Sequence, residues 1–193
     1  MDRIEIINHL IKRNNYTSYL EIGIYQGECF NAINCKEKIG VDPDITSKCD
    51  GELIHTTSNV FFLTNKKKFG LIFIDGLHME EQVKHDLLNA LSALELGGTI
   101  VVHDCNPLTD LMQQVPFTTQ FEWTGDVWKA WVKFRKNGFK QYVVDTDFGV
   151  GILTEGKASP FVCAEELTYE NLDQNRVEWL NLVSVDWFLE HNN

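Results

Sequence analysis

The chain predicts an α/β fold: a Rossmann-like, doubly wound, seven-stranded and mostly parallel sheet with an antiparallel edge hairpin. Three observations carry that expectation. Gly70-Leu71-Ile72-Phe73-Ile74-Asp75 and Thr99-Ile100-Val101-Val102-His103-Asp104 are continuous apolar runs ending in polar groups, as strands are when helices cover both sheet faces. Short strand-like runs alternate with helical-period segments, which implies right-handed crossovers. The 193 residues, 44% hydrophobic and 23% charged, have the size and composition of one globular domain spanning residues 1–193.

The elements follow in order. Ile4, Ile7, Leu10 and Ile11 mark a helix over 4–12, and Tyr19-Leu20-Glu21-Ile22-Gly23 reads as a buried strand meeting a glycine. Cys29, Phe30 and Ile33 share a helical face, and Lys38-Ile39-Gly40-Val41-Asp42 is a second strand stopped by Pro43. Glu52 to Thr56 is the third strand, followed by a helix capped by Ser58 and running through Leu63. After the strand ending at Asp75, Val83, Leu87, Leu91 and Leu94 recur at helical spacing until Gly97-Gly98 ends that helix. An acceptor-side insert spans about 105–139 and holds a helix over 126–136. Gln141 to Val144 and Val150 to Leu153 pair as a hairpin across Asp147-Phe148-Gly149, read as a turn, and a single C-terminal helix carries Val177, Leu180, Trp187 and Phe188.

Charge and cysteines narrow the function classes. Lys plus Arg is 17 against 28 for Asp plus Glu, a net charge of -11, and such a surface repels phosphate backbones and anionic lipid. Nucleic acid and membrane are therefore excluded as partners. The N-terminus lacks the basic start and apolar block of a signal peptide, and five cysteines match no zinc or redox spacing. These features point to a cytoplasmic setting with reduced thiols.

Parallel sheets hold their ligands at the carboxyl ends of the strands. The polar residues there are Glu21 and Gly23 after strand one, Asp42 after strand two, Asp75 and His78 after strand four, and His103 and Asp104 after strand five. In Glu21-Ile-Gly23-x-x-x-Gly27 the glycines let backbone approach a ligand, but Tyr25 stands where a dinucleotide loop needs its second glycine. Glu21 and Glu28 would flank a pyrophosphate with like charge, so a cationic ligand fits better. Asp42 lies at the distance from Gly23 at which an acid takes both hydroxyls of an adenosine ribose. Together these features suit S-adenosylmethionine, a sulfonium nucleoside.

Over roughly residues 15–105 the chain resembles the class I S-adenosylmethionine-dependent methyltransferases, through Glu21-Ile-Gly23-x-x-x-Gly27, Gly40-Val-Asp42, Phe73-Ile-Asp75-Gly-Leu-His78 and Gly97-Gly-Thr-Ile-Val-Val-His103-Asp104. The Asp75/His78 and His103-Asp104 pair looks like the small O-methyltransferases of sugars and macrolide sugars. That resemblance implies Asp75 and Asp104 as ligands of magnesium or another divalent cation and His78 as the general base. His103 stands where metal-dependent relatives often carry an acid, which weakens the magnesium expectation.

The resulting expectation is methyl transfer to a hydroxyl of a sugar or glycosylated small molecule. Glu21, Gly23, Gly27, Asp42, Ser58 and Asp75 would bind the cofactor, and His78, Asp75 and Asp104 would be catalytic. His103, Asp126 and Trp128 would border the acceptor, in an insert that gathers Trp123, Trp128, Trp131 and Phe134 with Lys129, Lys133, Arg135 and Lys136. Aromatic faces suit sugar rings and basic groups suit a nucleotide-sugar phosphate, although the same spacing fits an ordinary buried helix stripe with solvated lysines opposite. Nitrogen or phenol methylation and a non-catalytic adenosyl-binding module are the rival readings. A small-molecule or glycan acceptor is the expected partner, and homo-oligomerisation is left open.

Overall fold

The structure, a computed structural model, describes residues 1–118, 122–159, 161–163 and 165–192. Residues 119–121, inside the expected insert, lie outside the described residues. Its sheet has eight strands in the order β3-β2-β1-β4-β5-β7-β6-β8. They are β1 (Ser18–Ile22), β2 (Glu37–Asp42), β3 (Glu52–His55), β4 (Phe69–Ile74), β5 (Leu94–Val102), β6 (Phe139–Val144), β7 (Val150–Lys157) and β8 (Leu182–Val183). All neighbours pair in parallel except β7, which lies antiparallel between β5 and β6. The chain winds outward from β1 through β2 to β3, then crosses back to place β4 on the other side of β1. That reversal fixes where a ligand crevice opens.

Period-two burial along the strands divides the core into two layers. Ile72, Ile74, Ile100 and Val102 face α3 (Ser58–Thr64), α4 (Glu80–Ala93), α5 (Val127–Lys136) and α6 (Tyr169–Leu180). Leu71, Phe73 and Val101 face α1 (Arg3–Asn14), α2 (Glu28–Ala32) and α7 (Val185–His191). β4 is buried along all six residues, as its unbroken apolar sequence predicts. Helix α1 starts with a capping box between Asp2 and Glu5 and ends on Asn15 in the left-handed conformation, which satisfies orphan groups at both termini.

Four expectations need correction. The sheet has eight strands because Asn181 turns left-handed after α6, donates its side-chain amide to the Gln141 carbonyl and leads Leu182–Val183 alongside β6. The expected single C-terminal helix is therefore two, and Ser184 caps the second by accepting from the Trp187 amide at 3.1 Å. Helix α4 stops at Ala93, and Gly97-Gly98 lies within β5 where the register with β4 shifts, so the pair makes a bulge and does not end the helix. Thr57, one residue before Ser58, is the N-cap of α3, its hydroxyl accepting from the Val60 amide.

Among the described residues, no helix is long and apolar enough to cross a membrane.

Candidate active site

The carboxyl ends of β1, β2, β4 and β5 and the turn between β6 and β7 surround a cavity of about 1080 Å³. Of the sequence-expected residues, Gly23, Asp42, Ser58, Asp75, His78, His103 and Asp104 line it. Glu21, Gly27, Asp126 and Trp128 do not.

One end of the cavity is built around Gly23. Its φ is +87°, and a Cβ there would lie 2.1 Å from the Asp75 carbonyl oxygen, so only glycine lets the loop after β1 pass the loop after β4. Asp42 holds that loop from β2: its Oδ2 accepts from the Ile24 and Tyr25 amides at 2.9 and 3.2 Å, and its Oδ1 from Asp44 at 2.8 Å. Gly27 shapes the loop from behind, because a Cβ would fall 2.4 Å from the Cys49 sulfur. Glu21 is buried on the α1/α2 side and accepts from the Tyr19 hydroxyl. Burial raises its carboxyl to about 8 against the charge-stabilising bond from Tyr19.

Ser58 accepts from Gln82 Nε2 at 3.1 Å, and the same amide nitrogen donates to buried Asp86 at 3.0 Å. Burial raises the Asp86 carboxyl.

The other end is a chain of alternating charges. His103 Nδ1 lies 3.2 Å from Asp75 Oδ1 and 3.3 Å from Asp104 Oδ1. Its Nε2 lies 2.8 Å from the Asp147 carbonyl oxygen and 3.4 Å from Asp147 Oδ1. Arg3, at the start of α1, holds Asp147 through Nη1 at 2.9 and 3.2 Å and through its main-chain amide at 3.0 Å. His78 completes the chain, with Nε2 3.3 Å from Asp75 Oδ1 and Nδ1 3.1 Å from both Asp104 Oδ2 and the Trp123 carbonyl.

The protonation states follow from this geometry. Burial works against the charge on His103, but Asp75 and Asp147 outweigh it and raise the imidazole to about 10. Burial likewise opposes charge on His78, and bonds to Asp75 and the field of Asp104 raise it all the same. Asp75 is held well below the usual carboxylate range, its burial overcome by both imidazoles. Asp104 goes the other way, because burial raises it to about 6 against the two imidazoles.

Four residues that are not glycine have positive φ at this rim: Tyr25 (49°), Asp104 (60°), Asp147 (47°) and Phe148 (56°). Such conformations cost free energy and persist where surrounding structure imposes them, typically at working sites. Trp123 stacks on His78 with centroids 5.3 Å apart, and Phe117 meets Trp123 edge-on.

Two acceptor-side expectations are corrected. Trp128 is fully buried, stacked on Trp179 at 6.2 Å, because it falls on the apolar stripe of α5. Asp126 precedes α5 without capping it. Its Oδ1 accepts from the Glu80 amide at 2.6 Å and so caps α4. Arg3, Gln82, Asp86, Asp147 and Phe148 line the cavity beyond the expected set, and Trp123 of the expected aromatic insert lines it as well. Asp147 was legible, since the hairpin turn follows a strand end at the same rim. Nothing in the sequence marks Arg3, whose helix precedes every strand.

The donor set does not suit magnesium. Asp75, His78 and Asp104 offer ligand atoms within 4.8 Å of one another. One donor is an imidazole nitrogen, and both carboxylates already accept from histidines. Magnesium demands an octahedron of hard oxygens, so the residues present do not fit it.

Residues 20–105 match the family described as a methyltransferase domain. No curated protein matches the chain in sequence. Among solved structures, the O-methyltransferase from Bacillus cereus in complex with S-adenosylhomocysteine superposes with a TM-score of 0.54 at 11% identity, covering 79% of this chain and 80% of that one. The O-methyltransferase TomG from Streptomyces achromogenes, involved in tomaymycin synthesis and bound to S-adenosylmethionine, gives 0.54 at 12%, covering 80% of each chain. Residues 20–105 are thus similar to a methyltransferase domain, and the sheet that carries them has the fold of these cofactor-bound O-methyltransferases.

Proposed function

We propose that the protein is an S-adenosylmethionine-dependent O-methyltransferase whose acceptor is a hydroxyl on an uncharged or cationic small molecule, a sugar or glycosylated compound. One observation carries this reading: among the described residues, the cavity at the sheet reversal is bordered by six acidic side chains, Asp42, Asp75, Asp86, Asp104, Glu122 and Asp147, and its basic side chains, Arg3, His78 and His103, are each paired with one of them. Such a field favours a sulfonium and disfavours a phosphate-bearing acceptor.

When bound, S-adenosylmethionine supplies an electrophilic methyl group and leaves as a neutral thioether, so the leaving group needs no acid. Gly23 lets backbone reach the nucleoside, Asp42 offers its remaining lone pair on Oδ1 to the ribose, and Ser58 borders the base. Glu21 and Gly27 support the loop from outside the cavity. Both ring nitrogens of His78 face acceptors, so it rests protonated and becomes the base on losing that proton; its neutral form then takes the proton as the acceptor oxygen forms its bond to the methyl carbon. Asp75 and Asp104 orient that ring, and Trp123 covers its face. An alcohol is a poor nucleophile at neutral pH, so this base and the in-line positioning supply the acceleration.

Isothermal titration with S-adenosylmethionine and S-adenosylhomocysteine, followed by labelled-methyl transfer onto a panel of neutral sugars, amino sugars, phenols and sugar phosphates, tests the reading. Saturable cofactor uptake with transfer to hydroxyls of uncharged or amino sugars is expected. Preference for sugar phosphates or phenols would refute the acceptor assignment, and binding of NAD without either adenosyl compound would refute the whole reading.

A further inference from the structure

We propose that His103, clamped by Asp147 and Arg3, is the built-in cation of this centre, occupying the space between Asp75 and Asp104 in place of a magnesium ion. A ring nitrogen that faces only acceptors must carry its proton, and both nitrogens of His103 do: Nδ1 meets two carboxylates and Nε2 meets a main-chain carbonyl. His103 therefore stands as an imidazolium by hydrogen-bond accounting alone. It is 8% exposed, so its charge is screened little by water.

The clamp is preformed. Asp147 sits in the left-handed conformation that aims its carbonyl at His103, while Arg3 grips its carboxylate through side chain and main chain. A divalent ion entering between Asp75 and Asp104 would meet this cation at close range, where two positive charges repel strongly in a buried site. Arg3 and Asp147 are accordingly positioning residues that act through His103.

The role in methyl transfer rests on the function proposed above, but the test needs neither acceptor nor cofactor. Magnesium chloride and manganese chloride are titrated calorimetrically into the full chain, its Asp75→Asn, His103→Asp, Arg3→Ala and Arg3→Lys variants, with folding checked by circular dichroism. No saturable uptake is expected in the wild type at millimolar metal. His103→Asp should bind at least tenfold more tightly than the wild type. Arg3→Ala should begin to take up metal, and Arg3→Lys should restore exclusion. One ion per wild-type chain, lost in Asp75→Asn, would overturn the proposal, as would a folded His103→Asp protein that takes up none. An Arg3→Ala protein that excludes metal fully would remove Arg3 from the clamp. If the wild-type protein binds S-adenosylhomocysteine yet also binds magnesium, the methyl-transfer reading stands and only this inference fails.

Discussion

Gly23 and Asp75 meet backbone to backbone: a single added carbon on Gly23 would lie 2.1 Å from the Asp75 carbonyl oxygen and 2.5 Å from Gly76 Cα. The contact closes the reversal point of the sheet and sets the distance between the loop after β1 and the residues that follow β4. Gly23→Ala must both adopt a positive φ, at about 1–3 kcal/mol, and push these loops apart. Thermal unfolding of this variant should fall by several degrees, and the calorimetric heat of S-adenosylhomocysteine binding should disappear. A variant that binds as the wild type does would show that the loops separate freely.

His78 should set the pH dependence of turnover. Its pKa is raised above the ordinary 6.5, and only its neutral form accepts a proton. The rate therefore rises with pH through that raised pKa and is low at pH 6. Removing the base costs roughly a hundredfold to ten-thousandfold in kcat, so His78→Ala should lose that much while S-adenosylhomocysteine affinity changes little. A rate that is flat from pH 6 to 9 would argue against a histidine base.

Glu21 gives a stability signature. Its folded-state pKa, about 8, lies above the ordinary 4.5 because burial disfavours the carboxylate. The stability it contributes is complete below about pH 4.5 and is lost as pH rises through 8. Melting temperatures measured from pH 5 to 9 should fall more steeply for the wild type than for Glu21→Gln, which keeps the neutral shape. Parallel curves would mean that Glu21 is ionised in the fold.

Two tryptophans five positions apart should behave oppositely. Trp128 is buried against Trp179, and truncating a core tryptophan costs about 3–5 kcal/mol. Trp123 lies over His78 at the cavity wall. Trp128→Ala should lower the melting temperature by roughly 6–20 °C in a chain of this size. Trp123→Ala should cost little stability and instead raise the acceptor KM in the transfer assay.

These results show where sequence reasoning reaches and where it stops. β4 and β5 were legible because an apolar strand covered on both faces leaves an unbroken signal, and the residues at their ends are delivered to one rim by topology alone. Asp42, Asp75, His78 and Asp104 were placed on the cavity rim that way. Trp128 was misplaced because an aromatic stripe at helical spacing reads the same whether it faces a core or a ligand. Gly97-Gly98 misled because a bulge and a helix stop share a composition. Arg3 was out of reach, since its partner Asp147 lies 144 positions away and no local pattern encodes that pairing.

The one backward-running strand has a consequence for how such a protein diversifies. Because β7 runs against its neighbours, the two-strand ribbon delivers residues 145–149 to the ligand rim without any crossover helix. That tip can vary without repacking either layer beneath it, so long as Asp147 keeps its hold on His103 and Arg3. Altering the tip is therefore the least disruptive route to a new acceptor preference, with the cofactor half left as it is.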